Sequence, residues 1–175
     1  AALGVPFLPT YSTLGTDIVK ANAGLEPMVS PFGGDRMVAV QALALDVAIL
    51  PVQRADQDGN AHLWGNLGVV SDAARAAKRV VVVAEKIVSS DVIARDPNRT
   101  VTPGFLVAAV VHEPMGSHPS PCQGYYGRDH AYYAEYHEES RTREEFLSWL
   151  EKWVLSVKDR RDYLTVLGGE RADGL

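Results

Sequence analysis

Cys122 is the only cysteine in this chain. A lone cysteine cannot close an intramolecular disulfide, so a cross-linked secreted scaffold is excluded and a reducing, cytoplasmic setting is expected. Clusters of Lys and Arg are missing too, and the net charge is −5, which argues against a nucleic-acid-binding surface. Long hydrophobic runs are absent: stretches such as RVVVVAEKIV have the length of strands and fall far short of a bilayer span. The first ten residues, AALGVPFLPT, lack the charged n-region and small-residue cleavage pattern of a signal peptide. They read as the end of a helix, AALG, with Gly4 as its cap, so the sequence is expected to start inside an element of a longer chain. Internal repeats and low-complexity segments are not found.

What is present is an ordinary soluble composition, 46% hydrophobic and 22% charged over 175 residues. That length supports one domain, residues 1–175, able to bury roughly 70% of its unfolded surface. Residues 5–35 are punctuated by proline and glycine and read as loop-rich. RMVAV (36–40) begins a regular pattern, and DVAILPV (46–52), RVVVVAE (79–85) and FLVAAVVHE (105–113) read as strands buried on both faces. Short helices are expected between them. SDAARAAK (71–78) is capped by Ser71 or Asp72, and SSDVIARD must stop before Pro97. Apolar strands separated by short helices imply an α/β fold built on an open, mainly parallel sheet.

The C-terminal part reads as a helical extension. Thr142 followed by Glu145 forms a capping box, and Phe146, Leu147, Leu150, Trp153, Val154 and Val157 make one apolar stripe behind it. A last short helix over RRDYLTVLGG is expected to end at Gly168. Trp149 lies off the stripe, and its exposure would suggest an interface.

QRADQDGNAHLWG (53–65) carries charged residues, Asp-Gly and Asn directly after an apolar strand. Without a glycine-spaced Lys-Ser/Thr it is not a phosphate loop, and it lacks the further ligands of a calcium loop. Asp58-Gly59 supplies a tight reversal between AILPVQ and AHLW, the arms of a hairpin. Arg54 and Asp56 are expected to pair with each other or with a partner subunit. No metal site is expected. His130 and His137 share a helix face near Glu138, but convergent zinc ligands cannot be placed.

The stretch VAILPVQRADQDGNAHLWG resembles the signature region of the alpha subunit of family I CoA-transferases. AALGVPFLPT, SPFGG, MVAVQALALDVAI, AEKIV, RDPNRTVTPGFLVAAVV, GSHPSPCQGYYGRDHAYY and LSWLEKWVLSVKDRRDYLTVLG are similar, in the same order, to the A-type subunit of the glutaconate CoA-transferase kind. The resemblance runs along essentially the whole chain. It implies the sheet-and-helix fold shared with sugar-phosphate isomerases, and a glycine-rich portion that precedes the region matched here. It also implies a B-type (beta) partner subunit that carries the catalytic glutamate, so no catalytic residue is assigned to this chain.

In such enzymes a glutamate carboxylate attacks an acyl-CoA thioester, and the departing CoA thiolate then attacks the resulting anhydride to give a glutamyl-CoA thioester. CoA is a substrate there, and no separate cofactor is expected. The acids implied are dicarboxylic or 3-oxo acids. Acyl-CoA hydrolases that degrade steroid rings have a similar alpha subunit, and the same broad fold serves as a ligand-binding module elsewhere; both stand as other readings.

The segment EPMGSHPSPCQGYYGRD (113–129) follows the third buried strand at its carboxyl end, where open α/β sheets bind ligands. The corresponding family loop approaches the acyl pocket, so the resemblance assigns substrate contact to His118, Ser120, Cys122, Gln123 and Tyr125. Cys122 has no base beside it in the sequence that would make it a nucleophile. His112 at the strand end and Tyr132, Tyr133 and Tyr136 read as packing or contact residues.

Overall fold

Continuous apolar runs recur in the first two-thirds of the chain and form strands there. Along the two longest, burial alternates between neighbouring residues over most of the strand, so they are not shut away on both faces. The computed structural model describes residues 4–170. Its contacts gather in two compact units, one running to Gly116 and one starting at Ser117.

The first unit holds two sheets. The loop-rich reading of residues 5–35 misses one of them: β1 (Phe7–Thr10) and β2 (Leu25–Val29) flank β3 (Arg36–Gln41) in an antiparallel sheet ordered β1-β3-β2, and α1 (Ile18–Ala21) lies between β1 and β2 in sequence. The prolines that suggested loops sit in the flanking strands, Pro9 opposite Ala39 and Pro27 opposite Val38. Edge strands accept proline because one side of the ladder needs no donor. Gly4 has φ +71°, as a cap would, but residues 1–3 of the expected AALG helix lie outside the described residues.

The second sheet is mixed and open. β4 (Leu45–Ala55), β6 (Ala77–Ile87) and β8 (Val107–His112) run parallel, while the short β5 (Ala61–His62) and β7 (Thr100–Thr102) run antiparallel, in the order β7-β5-β4-β6-β8. Its core is Ala48, Leu50, Val52, Val80, Val82 and Ala84, covered by α2 (Val70–Ala76) through Val70, Ala73 and Ala74. α3 (Ser90–Ala94) and two single 3-10 turns, Pro97–Arg99 and Gly104–Leu106, complete the connection from β6 to β8.

Two local expectations are corrected. α2 ends at Ala76, and Ala77 and Lys78 belong to β6, because Ala77 pairs with Leu45 and the ladder outweighs the helix preference of alanine. Neither Ser71 nor Asp72 caps that helix: Val69 occupies the cap position, and Ser71 lies inside, receiving the guanidinium of Arg75 on its carbonyl and hydroxyl oxygens.

In the second unit, α4 (His130–Glu139), α5 (Arg143–Leu150) and α6 (Arg160–Glu170) pack around Tyr132, Trp153, Tyr163 and Leu167. The capping box forms in full, with Thr142 accepting from the Glu145 N–H and Glu145 accepting from the Thr142 N–H. The expected stripe is only partly buried. A π-helical turn over Glu151–Leu155 follows α5, and Trp153 and Val157 pack inward while Leu147 and Val154 stay exposed. The extra residue per π turn rotates the later positions away from the 3.6-residue phase. Trp149 is half-buried, its ring edge-on to Tyr136 at 4.8 Å. Gly168 does not end α6, which continues to Glu170; its φ is not positive and the buried Leu167 beside it anchors that turn.

Candidate functional site

The hairpin between β4 and β5 is a structural corner. Asp56 is 1% exposed, and its carboxylate accepts from the N–H groups of Asp58 (3.0 Å) and Asn60 (2.9 Å) and from the Asn60 side chain (3.0 Å). Gly59 has φ +88°, and a Cβ there would stand 2.8 Å from Val107. Only glycine meets both demands. Arg54 does not pair with Asp56. Its guanidinium lies 5.2 Å from the centre of the Trp64 ring, and Arg99 lies 5.0 Å from the same ring. The Asp56 oxygens are taken up by donors of the turn itself, and the Arg54 guanidinium lies over the Trp64 ring instead.

At the carboxyl end of β8 the chain turns at 113–116. Glu85, buried at the end of β6, accepts the Met115 N–H at 2.8 Å and holds that residue at φ +61°. Sequence reasoning missed Glu85; a carboxylate at the end of an apolar strand was the available signal.

The loop 117–129 belongs to the second unit and is organised from within. His118 has its side chain 1% exposed, with Nδ1 2.7 Å from the Tyr163 hydroxyl and Nε2 2.9 Å from Asp129 Oδ2. The other Asp129 oxygen accepts the Tyr132 N–H at 2.8 Å and so caps α4. The Tyr132 ring stands edge-on to His118, 5.3 Å between centres. Burial raises the pKa of Tyr132 and of Tyr163 above the usual phenol range, and for Tyr132 the neighbouring Tyr163 adds to the shift. Asp129, Tyr132 and Tyr163 are not among the site residues expected from sequence. An Asp directly before a helical run was a legible cap for α4, whereas Tyr163 has no local signal.

The remaining expected residues separate by burial. Cys122 is buried, and its backbone pairs with Tyr126 in a short antiparallel bridge closed by Gly124 at φ +91°. Ser120 is exposed, its hydroxyl 2.9 Å from that of Tyr133. Gln123 and Tyr125 are exposed and line a depression of about 550 Å³ together with Pro121, Gly124, Tyr126 and Gly127. Tyr126 turns its hydroxyl back to accept the Ser117 N–H at 3.0 Å. The five residues thus share one loop, with His118 and Cys122 inside it and Ser120, Gln123 and Tyr125 on its surface. His130 and His137 are both exposed on α4. Among the described residues, no three His, Cys, Asp or Glu side chains gather to hold a metal ion, and no helix is long and apolar enough to cross a membrane.

The chain matches known proteins in sequence and in fold. The family model described as Coenzyme A transferase matches residues 1–113, and the chain belongs to that family. Within it, the chain is similar to the A-type subunit of the 3-oxoadipate CoA-transferase of Pseudomonas knackmussii, at 38% identity over 93% of this chain and 57% of that one. It is similar also to the A-type subunit of the glutaconate CoA-transferase of Acidaminococcus fermentans, at 37% identity over 98% of this chain and 58% of that one. The crystal structure of glutaconate coenzyme A-transferase from the same organism superposes with a TM-score of 0.87 at 36% identity, covering 97% of this chain and 59% of that one. The chain therefore spans slightly under three-fifths of the length of these relatives.

Proposed function

We propose that this chain supplies one wall of the substrate site in a cytoplasmic, two-subunit CoA-transferase that moves CoA between an acyl-CoA and a free carboxylic acid. The match to the A-type subunits of two CoA-transferases, over almost the whole of this chain, carries the reading. Their names point to short dicarboxylic and 3-oxo acids as the substrate class. The partner is a B-type subunit bearing the glutamate that takes up CoA as a thioester.

In this reading the loop 117–129 binds and orients substrate, and the covalent step occurs on the partner. The Gln123 amide and the Tyr125 hydroxyl, both at the depression, are suited to hydrogen-bond a carboxylate or a thioester carbonyl. Ser120 extends that polar rim. His118 and Cys122, turned into the loop, keep its shape. Holding the acid in place removes entropy from the exchange, and donors aimed at the carbonyl oxygen favour the tetrahedral intermediate.

The test is isotope exchange between labelled acid and acyl-CoA in a complex with a B-type subunit, followed by borohydride trapping and mass spectrometry. Exchange that requires an acid acceptor is expected, with the modified glutamate found on the B-type chain. Replacing Gln123 by Ala is expected to raise KM for the acid at least about fivefold, with kcat changed less, as loss of about 1 kcal/mol of uniform binding would do. CoA release without an acceptor acid would instead mark a hydrolase.

A further inference from the structure

The loop 117–129 carries a single carboxylate and a single guanidinium, and the two are used differently. Asp129 is turned inward, one oxygen on His118 Nε2 and the other on the Tyr132 N–H. Arg128 is the only Lys or Arg in the loop, is exposed, and makes no ion pair among the described residues. Its guanidinium rests instead on the Tyr133 ring, with Cζ 4.3 Å from the ring centre. The hydroxyl of the same phenol lies 2.9 Å from that of Ser120. One cation and two hydroxyls are therefore gathered on a single tyrosine, and Arg128 follows directly on Gly127, which lines the depression.

This group is set in place before any ligand arrives. Asp129 stands between Arg128 and α4, caps that helix, and is held by the buried His118. Tyr133 sits in the first turn of the helix so capped, its N–H donating to the Asp129 carbonyl. A guanidinium lying on a ring face keeps its in-plane N–H donors for a further partner. That partner is an anion, and the donor set says which kind. A planar fork matches a carboxylate with two parallel bonds, and the hydroxyls supply further donors at its side. A phosphate dianion calls for several cations or a row of backbone N–H groups, and this loop offers one cation.

The geometry points to Arg128, with the Tyr133 and Ser120 hydroxyls, as a carboxylate subsite beside the depression. While one carboxylate of an acid occupies the depression, Arg128 takes the other, and so selects dicarboxylic over monocarboxylic acids. The assignment rests on the reading of loop 117–129 as a substrate wall. It adds two residues to that wall, Arg128 and Tyr133, neither of which is expected from the sequence to touch substrate.

The experiment titrates this chain with glutarate and with pentanoate, acids of equal length that differ by one carboxylate, and follows the arginine Nε–H signals by NMR. Glutarate is expected to bind at least about tenfold more tightly and to shift the Arg128 signal. Arg128→Gln is expected to bring the two acids within about twofold of each other, and Arg128→Lys to restore part of the preference. Tyr133→Phe keeps the ring under the guanidinium and is expected to weaken glutarate binding about threefold. Arg141→Gln, at an exposed arginine paired with Glu138, is expected to change nothing. Arg128 is exposed, so circular dichroism of its variants is expected to match the parent.

Equal binding of the two acids, or a preference that survives Arg128→Gln, would overturn the inference. So would inorganic phosphate that binds at the Arg128 signal more tightly than glutarate. The wider reading is decided separately, by CoA transfer in a complex with a B-type subunit. Transfer with equal kcat/KM for the two acids keeps that reading and overturns this inference. A glutarate preference carried by Arg128, without any CoA transfer, keeps the carboxylate subsite and sinks the wider reading.

Discussion

Asp56 in the first unit and His118 in the second are both polar, both shut away from water, and both fully engaged, yet they collect their partners from different distances. Asp56 takes its three hydrogen bonds from Asp58 and Asn60, two and four residues on. His118 takes its two from Asp129 and Tyr163, 11 and 45 residues on. The first arrangement organises a turn and then lets the sheet form on either side. The second forms only once α4 and α6 have come together around the imidazole. A buried polar group costs little when its bonds are made and much when one is missing, so both sites fix geometry, one locally and one across the unit.

The largest test of that comparison is Asp56→Ala. It strands two backbone N–H groups and the Asn60 amide, and a loss of about 4 kcal/mol of unfolding free energy is expected in urea denaturation. Asp56→Asn keeps an acceptor for the backbone and is expected to cost about 2 kcal/mol. Equal losses for the two variants would show that charge, and not the local bonds, holds the corner.

His118→Ala comes next. It opens a cavity between Tyr132 and Tyr163 and removes one hydrogen bond from Asp129 and one from the Tyr163 hydroxyl, so about 3 kcal/mol is expected to be lost. Hydrogen exchange is expected to quicken in both α4 and α6. Acceleration confined to residues 117–129 would mean that the imidazole serves its own loop alone, as Asp56 serves its turn, and the contrast between the sites would fall.

The smallest effect is on alkaline stability. Tyr132 and Tyr163 have folded-state pKa values raised above the unfolded value, first by burial. The folded chain therefore keeps these protons where the unfolded chain sheds them. Their stabilising contribution is complete below about pH 10 and declines as pH rises above that value, because the unfolded state then binds fewer protons. Urea midpoints measured from about pH 8 to about pH 12 are expected to hold and then fall, and absorbance at 295 nm should show Tyr132 and Tyr163 among the late-ionising tyrosines. Replacing Tyr163 with Phe should flatten the decline. A fall that begins well below pH 10 would point to groups other than this pair.

Much of the fold is legible in the order of residues. Three apolar runs became β4, β6 and β8, the Asp-Gly turn became a hairpin, and Thr142 with Glu145 became a complete capping box. Each depends on residues within a few positions of one another. The smaller sheet escapes such a reading because Pro9 and Pro27 look like breakers until edge positions are known. Gly168 looks like a stop until Leu167 is seen anchoring the helix. The candidate loop stands out by its glycines, prolines and polar residues, but its inward and outward faces do not.

Strand runs, the corner at 56–60, the cap at Thr142 and, through motifs in a fixed order, the family all follow from the linear chain. Period, turn chemistry and capping are short-range, so neighbouring residues suffice to specify them. Folding in three dimensions added that His118 bonds to Tyr163, that Arg54 lies on Trp64 and not on Asp56, and that the candidate loop buries His118 and Cys122 while Gln123 and Tyr125 stay exposed. Those outcomes turn on which elements meet, and the burial that sets their energies exists only after the chain has folded.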